Sequence, residues 1–256
     1  MSKKTVNLKE KIAISIDAGL LHMIDSKIDG SIIRSRSQAI ELFLRKGMEE
    51  KNIDTAVILL HKEHHDTALK LVKGKTLINT QLDFFIQNGI KRVIIVTQHS
   101  KNINLLLQAI SHSDIETKIV EKETFGNADA LKSASEYLKG SFVVMSGDTY
   151  NDFNLLSMIK KHTEAGKLAT MGIMSIDKSS KYGTAIMDGD LIVDFEEKPR
   201  MAKTHIANAG IYIFKPEALE LCDSHTTSLE KDLFPKLARI KQLAGFFTLG
   251  EYLHLG

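Results

Sequence analysis

The sequence predicts an α/β protein in two parts: a short N-terminal arm of one strand and two helices, then a doubly wound α/β domain. Three observations predict it. Residues 11–17 alternate strictly between apolar and other side chains. Residues 55–60 and 92–98 are nearly continuous apolar runs, as buried parallel strands are. From residue 55 onward, such runs alternate with segments of helical period.

The arm comes first. Period two in residues 11–17 puts Ile12, Ile14 and Ile16 on one face and Lys11, Ala13 and Ser15 on the other, as in a strand with one buried face. Leu20, Leu21, Ile24 and Ile28 then form a helical stripe, with Gly30 placed to cap its C-terminus. Ser35 or Ser37 can cap a second helix with Ile40, Phe43, Leu44 and Met48 inward. One strand and two helices cannot bury a core alone, and a lone strand leaves its backbone groups unpaired. Pairing of two strands in a two-fold homodimer solves both problems.

The larger part follows through a short polar linker at 49–54, giving domains of 1–50 and 51–256. Its expected helices cover 76–90, ending at Gly89, then 102–113 and 127–139. Its expected strands cover 116–123 and 141–148, and the apolar-rich segments 168–177, 183–199 and 206–216 follow. In such a sheet, ligands bind at strand C-terminal ends.

Composition excludes little and is ordinary: 43% hydrophobic, 26% charged, formal net charge +2. That charge is too small to argue for nucleic acid by itself. The single cysteine, Cys222, cannot form an intrachain disulfide and reads as a small apolar filler in a reducing compartment. No run approaches the roughly 18 apolar residues of a membrane span, and no apolar core follows the basic N-terminus. The expectation is a cytoplasmic protein with no membrane partner.

The segment 59–70, Leu-Leu-His-Lys-Glu-His-His-Asp-Thr-Ala-Leu-Lys, follows the first buried strand. His61, His64 and His65 have i, i+3, i+4 spacing, with Glu63 and Asp66 among them. Imidazoles suit zinc, nickel or copper, and Asp148 or His254 could join them. The plainer reading is a solvated loop. A third is that Lys62, His61 or His64 contacts a ligand's phosphate.

Two resemblances sharpen this. Strand, helix and the opening Ser35-Arg36-Ser37 with Ala39 and Ile40 resemble the ribbon-helix-helix family over residues 9–50. The resemblance implies double-stranded DNA as partner, read by Lys11, Ala13 and Ser15, with Ser35, Arg36 and Ser37 at phosphate. It also implies a homodimer through the arm, or a higher homo-oligomer. Nine Lys and Arg against seven Asp and Glu in residues 1–50 would make DNA affinity modest and salt-sensitive.

Further on, a fixed order of short strings runs over nearly 200 residues. They are Gly147-Asp148, Tyr182-Gly183, Glu197-Lys198-Pro199, Asn208-Ala-Gly210 and Ser228-Leu-Glu-Lys-Asp-Leu-Phe-Pro, preceded by Gly126-Asn-Ala-Asp-Ala. Together they resemble the sugar-nucleotidyltransferase family. The implied fold is Rossmann-like with a mixed sheet, of the GT-A kind. The implied ligand contacts are Gly126, Asp148, Gly183, Lys198, Asn208 and Gly210, with Asp148 on a metal ion. That family's glycine- and arginine-bearing phosphate loop is missing between Leu60 and Val72, and Thr67 stands near the position of its lysine. His254 stands where the family has a second metal-binding aspartate, so magnesium would be weakly held.

These departures lead to an expected non-catalytic domain with no catalytic residue and no cofactor. The expected function is a DNA-binding transcriptional regulator whose larger domain senses a nucleotide, sugar phosphate or nucleotide sugar, or oligomerises. The alternative is an active sugar-1-phosphate nucleotidyltransferase with an appended dimerisation arm.

Overall fold

The computed structural model describes residues 12–30, 33–49, 53–111, 113–177 and 179–256. The chain divides into two compact units, Met1–Glu49 and Glu50–Gly256.

In the first unit, helix α1 (Ala18–Asp25) starts where the Asp17 carboxylate accepts from the amides of Gly19 and Leu20. It ends sooner than the apolar stripe predicts, with Ser26 as its cap. Gly30, expected as that cap, instead takes a left-handed φ of 72° in a later turn. Asp29 Oδ1 closes that turn by accepting the Ile33 amide at 3.0 Å. Helix α2 (Arg36–Glu49) is capped by Ser35, whose Oγ accepts the Gln38 amide at 3.2 Å. Ser37 therefore lies inside the helix. The Arg36 guanidinium grips Asp25 of α1 with two bonds of 2.6 and 2.7 Å, and holds that carboxyl below its usual range.

Residues 12–17 form no strand, which corrects the expectation from their alternation. The physical reason is the one that predicted a dimer: a single strand has nothing in its own chain to pair with. Ile24 and Ala39 are buried, while Ile12, Ile14, Leu20, Met23 and Leu44 are exposed. Lys11 and the Met48 side chain fall outside the described residues.

The second unit is built on a nine-stranded mixed sheet. Strand β1 (Thr55–Leu59) leads into a turn of 3₁₀ helix at Lys62–His64 and helix α3 (His65–Ala68). A small hairpin of β2 (Leu71–Val72) and β3 (Lys75–Thr76) precedes helix α4 (Leu77–Gln87). Then come β4 (Arg92–Thr97), α5 (Ile103–Ile110), β5 (Glu116–Glu121) and α6 (Asn127–Ser133). Next are β6 (Phe142–Ser146), β7 (Thr149–Asn151), α7 (Leu155–Ala165) and β8 (Ala169–Ser175). The chain finishes with β9 (Thr184–Asp188), β10 (Leu191–Glu196), β11 (Ile206–Phe214), α8 (Phe234–Arg239), β12 (Leu243–Phe247) and β13 (Tyr252–His254).

The strand order is β5-β4-β1-β6-β11-β8-β12-β10-β9. β1 runs parallel to both neighbours, with Ile58 level with Ile95 on one side and Met145 on the other. The chain steps outward from β1 to β4 and β5, then returns to the opposite side as β6, so the sheet opens a crevice at the C-terminal end of β1. Beyond β6, strand β11 is antiparallel to β6 and β8, which makes the sheet mixed.

Alternate residues of the central strands feed two cores. Ala56, Ile58, Val93 and Ile95 pack with Leu82, Phe85 and Leu106 on one face. Val57, Ile94, Phe142 and Val144 pack with Leu131, Phe214 and Phe234 on the other. The period-two rule divides each strand between them. No helix among the described residues is long and apolar enough to cross a membrane.

Candidate active site

A cleft of about 360 Å³ opens at the C-terminal ends of β1, β4 and β6. Leu60 and His61 continue from β1, Thr97 and Gln98 from β4, and Ser146 and Asp148 from β6. Gly126 and Asn127 at the start of α6 form one wall, and Tyr212 of β11 with Ser228 and Glu230 forms another.

The three histidines after β1 do not act together. His65 is buried, with Nδ1 2.6 Å from Ser100 Oγ and Nε2 2.6 Å from Thr97 Oγ1. Burial holds its pKa below the usual range. His65 thus pins the loop to β4. His61 and His64 line the cleft, their rings edge-on with centroids 6.3 Å apart. The i, i+3, i+4 spacing therefore makes no metal cage. No three His, Cys, Asp or Glu side chains among the described residues form one.

Asp148 is held from several directions. Ser146 Oγ donates to its Oδ1 at 2.6 Å. β13 pairs antiparallel with β7, which sets His254 level with Thr149 and brings its Nε2 within 3.4 Å of Asp148 Oδ2. His64 Nε2 lies 4.0 Å from the same oxygen.

The remaining predicted residues join this centre through a chain of contacts. The Asn208 side chain donates to the Tyr212 hydroxyl at 2.8 Å and accepts the Gly210 amide at 2.9 Å. Gly210 has a left-handed φ of 69° and stands beside Thr149 and Ser146. The Asn208 amide donates to the Gly183 carbonyl, and the Lys198 amide to the Tyr182 carbonyl. A Cβ on Gly183 would come within 2.4 Å of the Phe195 ring. Lys198 carries a left-handed φ of 45°, a strained geometry for a non-glycine residue that is common at functional sites. Its exposed ammonium lies 3.9 Å from Glu197 Oε1. Burial, and then the neighbouring Glu230, push the Glu197 carboxyl up.

Gly126 is extended, with φ 171°. Its need for glycine is steric: a Cβ there would sit 2.3 Å from the Thr227 carbonyl oxygen. Sequence reasoning missed the other half of this wall. Asn127 donates to both Glu230 oxygens at 2.9 Å and accepts the Leu229 amide at 2.8 Å. The string at 228–235 was the signal for Glu230, but nothing in it names the partner. Gln98 was also missed. It is buried, accepts the Lys62 amide at 2.9 Å and donates to Thr124 Oγ1 at 2.9 Å, tying the loops after β1 and β5.

Residues 55–252 match the model of the nucleotidyl transferase family. The mannose-1-phosphate guanylyltransferase catalytic subunit beta of Danio rerio is 30% identical over 191 residues, covering 72% of this chain and 53% of that protein. Mannose-1-phosphate guanylyltransferase 1 of Arabidopsis thaliana is 28% identical over 192 residues, with the same two shares. The chain thus spans about half the length of the curated relatives it matches. Among solved structures, HddC from Yersinia pseudotuberculosis complexed with GMP-PN superposes with a TM-score of 0.66 at 21% identity, covering 79% of this chain and 94% of that one. The inositol-1-phosphate CTP transferase from T. maritima gives 0.65 at 16%, covering 78% and 88%. These structures share the fold.

The comparisons correct the expected function. A non-catalytic, DNA-binding transcriptional regulator does not fit a chain whose relatives, aligned over 72% of it, are named as transferases. The missing glycine loop, Thr67 near the lysine position and His254 in place of an aspartate do not amount to a missing activity. The loop's absence removes one way of holding phosphate and says nothing about others. Over the second unit, this chain belongs to the nucleotidyl transferase family.

Proposed function

We propose that this chain transfers a nucleotidyl group from a nucleoside triphosphate to a sugar 1-phosphate. An oxygen of the 1-phosphate attacks the α-phosphorus, and a new P–O bond forms. The bond to the β-phosphate breaks, and pyrophosphate leaves with the bonding pair. Such a reaction needs positioning and charge stabilisation more than covalent help.

The observation that carries the reading is the connected path from Asp148 and Ser146, which line the cleft, through Gly210 and Asn208 to Gly183. Asp148 and Gly126 border the nucleotide end. Asn208, Gly210, Gly183 and Lys198 serve the sugar end, with the Lys198 ammonium on the 1-phosphate. A divalent cation is the group such chemistry implies. Asp148 has two imidazoles beside it and, among the described residues, no second carboxylate side chain, a donor set that does not make a magnesium cage. No step above is routed through it.

The relatives' names make GTP with mannose 1-phosphate the first pair to test. Pyrophosphate release would be followed with GTP, dTTP, UTP, CTP and ATP against mannose and glucose 1-phosphates, in magnesium buffer. Release above the sugar-free control supports the reading, and none with any pair refutes it.

The first unit serves, on this reading, as a ribbon-helix-helix module that pairs two copies. Ile14, Ile16, Leu20, Met23, Phe43 and Leu44 line an apolar groove within it, and residues 12–17 lack a strand partner. A second copy would supply both needs. Sedimentation of Ile14→Glu and Phe43→Glu variants tests this: both should be monomeric where the parent is dimeric.

A further inference from the structure

The cleft has few side-chain N–H donors for an anion. Among its lining residues, the side chains bearing N–H groups are His61, His64, Gln98 and Asn127. Gln98 is engaged at both ends of its amide, by Lys62 and Thr124. Asn127 is engaged by Leu229 and both oxygens of Glu230. The nearby Lys62 ammonium lies 3.4 Å from Glu123. Of the lining side-chain N–H groups, that leaves the two imidazoles, beside the hydroxyls of Thr97, Thr124, Ser146, Tyr212 and Ser228.

Their local bonding suits them for this. His61 Nδ1 accepts the Glu63 amide at 3.4 Å. A backbone amide can only donate, so in the neutral ring the proton sits on Nε2. His64 Nε2 lies 4.0 Å from Asp148, beyond hydrogen-bond reach. His61 caps the Lys62–His64 turn and His64 ends it, and the turn is fixed below by His65 and at its start by Gln98. The turn begins where β1 ends, in the crevice of the sheet.

We infer that His61 and His64 are the side chains that meet the triphosphate in this cleft, replacing with imidazole N–H groups the backbone amides of a glycine loop. The inference rests on the transferase reading and adds the residues that would touch the phosphates.

Binding of GTP and of inorganic pyrophosphate to the full chain would be measured by calorimetry, with the imidazole ¹⁵N signals followed by NMR. In the parent, pyrophosphate should shift the His61 and His64 Nε2 resonances and leave His65 in place. Single His61→Leu and His64→Leu changes should each weaken GTP about ten- to a hundredfold, the value of a hydrogen bond to a charged group. Melting temperatures should stay near the parent's. Glutamine at either position, with an amide near the place of Nε2, should recover part of the loss, which a purely structural role would not give.

If the parent binds GTP and the double leucine variant binds it equally, the histidine assignment fails and the transferase reading stands. If the parent binds neither probe and releases no pyrophosphate, both fail.

Discussion

Replacing Gly126 with alanine tests the packing argument for the cleft wall most directly. The new Cβ would sit 2.3 Å from the Thr227 carbonyl oxygen and 2.9 Å from its carbon. Both are backbone atoms, so no side chain can swing aside. The same carbonyl accepts the Ala128 amide at 2.9 Å, and the neighbouring Thr227 and Ser228 amides are held by Asp232 at 2.9 Å. Displacing the segment therefore strains or breaks bonds as well as contacts. Overpacking costs about 1–3 kcal/mol, and a lost hydrogen bond about 1 kcal/mol more. A total of about 2–4 kcal/mol corresponds to a fall of about 5–15 °C in melting temperature for a domain of roughly 200 residues. The control is Gly140→Ala, where no atom lies within 4 Å of the new Cβ and the backbone is not left-handed. That change should stay within about 0.5 kcal/mol. Calorimetric melts of the three proteins decide it. Equal melting of Gly126→Ala and the parent would refute the claim that this wall needs glycine for close approach.

Other outcomes follow from the same geometry. Lys198→Ala should raise KM for the sugar 1-phosphate about tenfold or more with little change for the nucleotide, since it removes a charge-assisted contact at the sugar end; equal KM values would remove Lys198 from the site. Asp148→Asn should lower pyrophosphate release by at least tenfold at unchanged melting temperature, because the amide keeps a carbonyl to accept from Ser146 but no longer offers the carboxylate that faces His64 and His254. His162 is buried, and its pKa is pushed down to about 4 by desolvation. Its folded-state pKa lies below the ordinary His value of about 6.5, so the unfolded chain binds the extra proton first. Stability should be full above about pH 6.5 and fall as pH drops toward 4, by up to about 3 kcal/mol from this residue. Urea unfolding of the parent and His162→Gln across that range tests the sign, and the variant should lose less.

Much of the second unit was legible in the sequence. β1, β4 and β6 announced themselves as apolar runs, because a strand buried on both faces has no polar side to alternate with. α4 showed its end at Gly89, which takes the left-handed φ that glycine favours. The short pieces were not legible. β2, β3, β7 and β13 span two or three residues each, too few for a period, and exist because a partner segment pairs with them. The site followed the same division. Asp148, Gly126 and Asn208 lay in recognisable strings, while Glu230, Asn127 and Gln98 matter through partners about 30 to 100 residues away.

The sequence by itself determined which segments could be buried, and so the α/β class and the strands that carry the cleft. Apolar periodicity is a local property, and water reads it locally. Tertiary structure alone decided what the His61–His65 stretch is. Three imidazoles in five residues look like one cluster in the sequence. Folding divides them, because His65 turns inward to Thr97 and Ser100 while His61 and His64 stay at the cleft. Only the packing of β4 and its following loop against α3 could decide that, since it depends on hydroxyls more than 30 residues away along the chain.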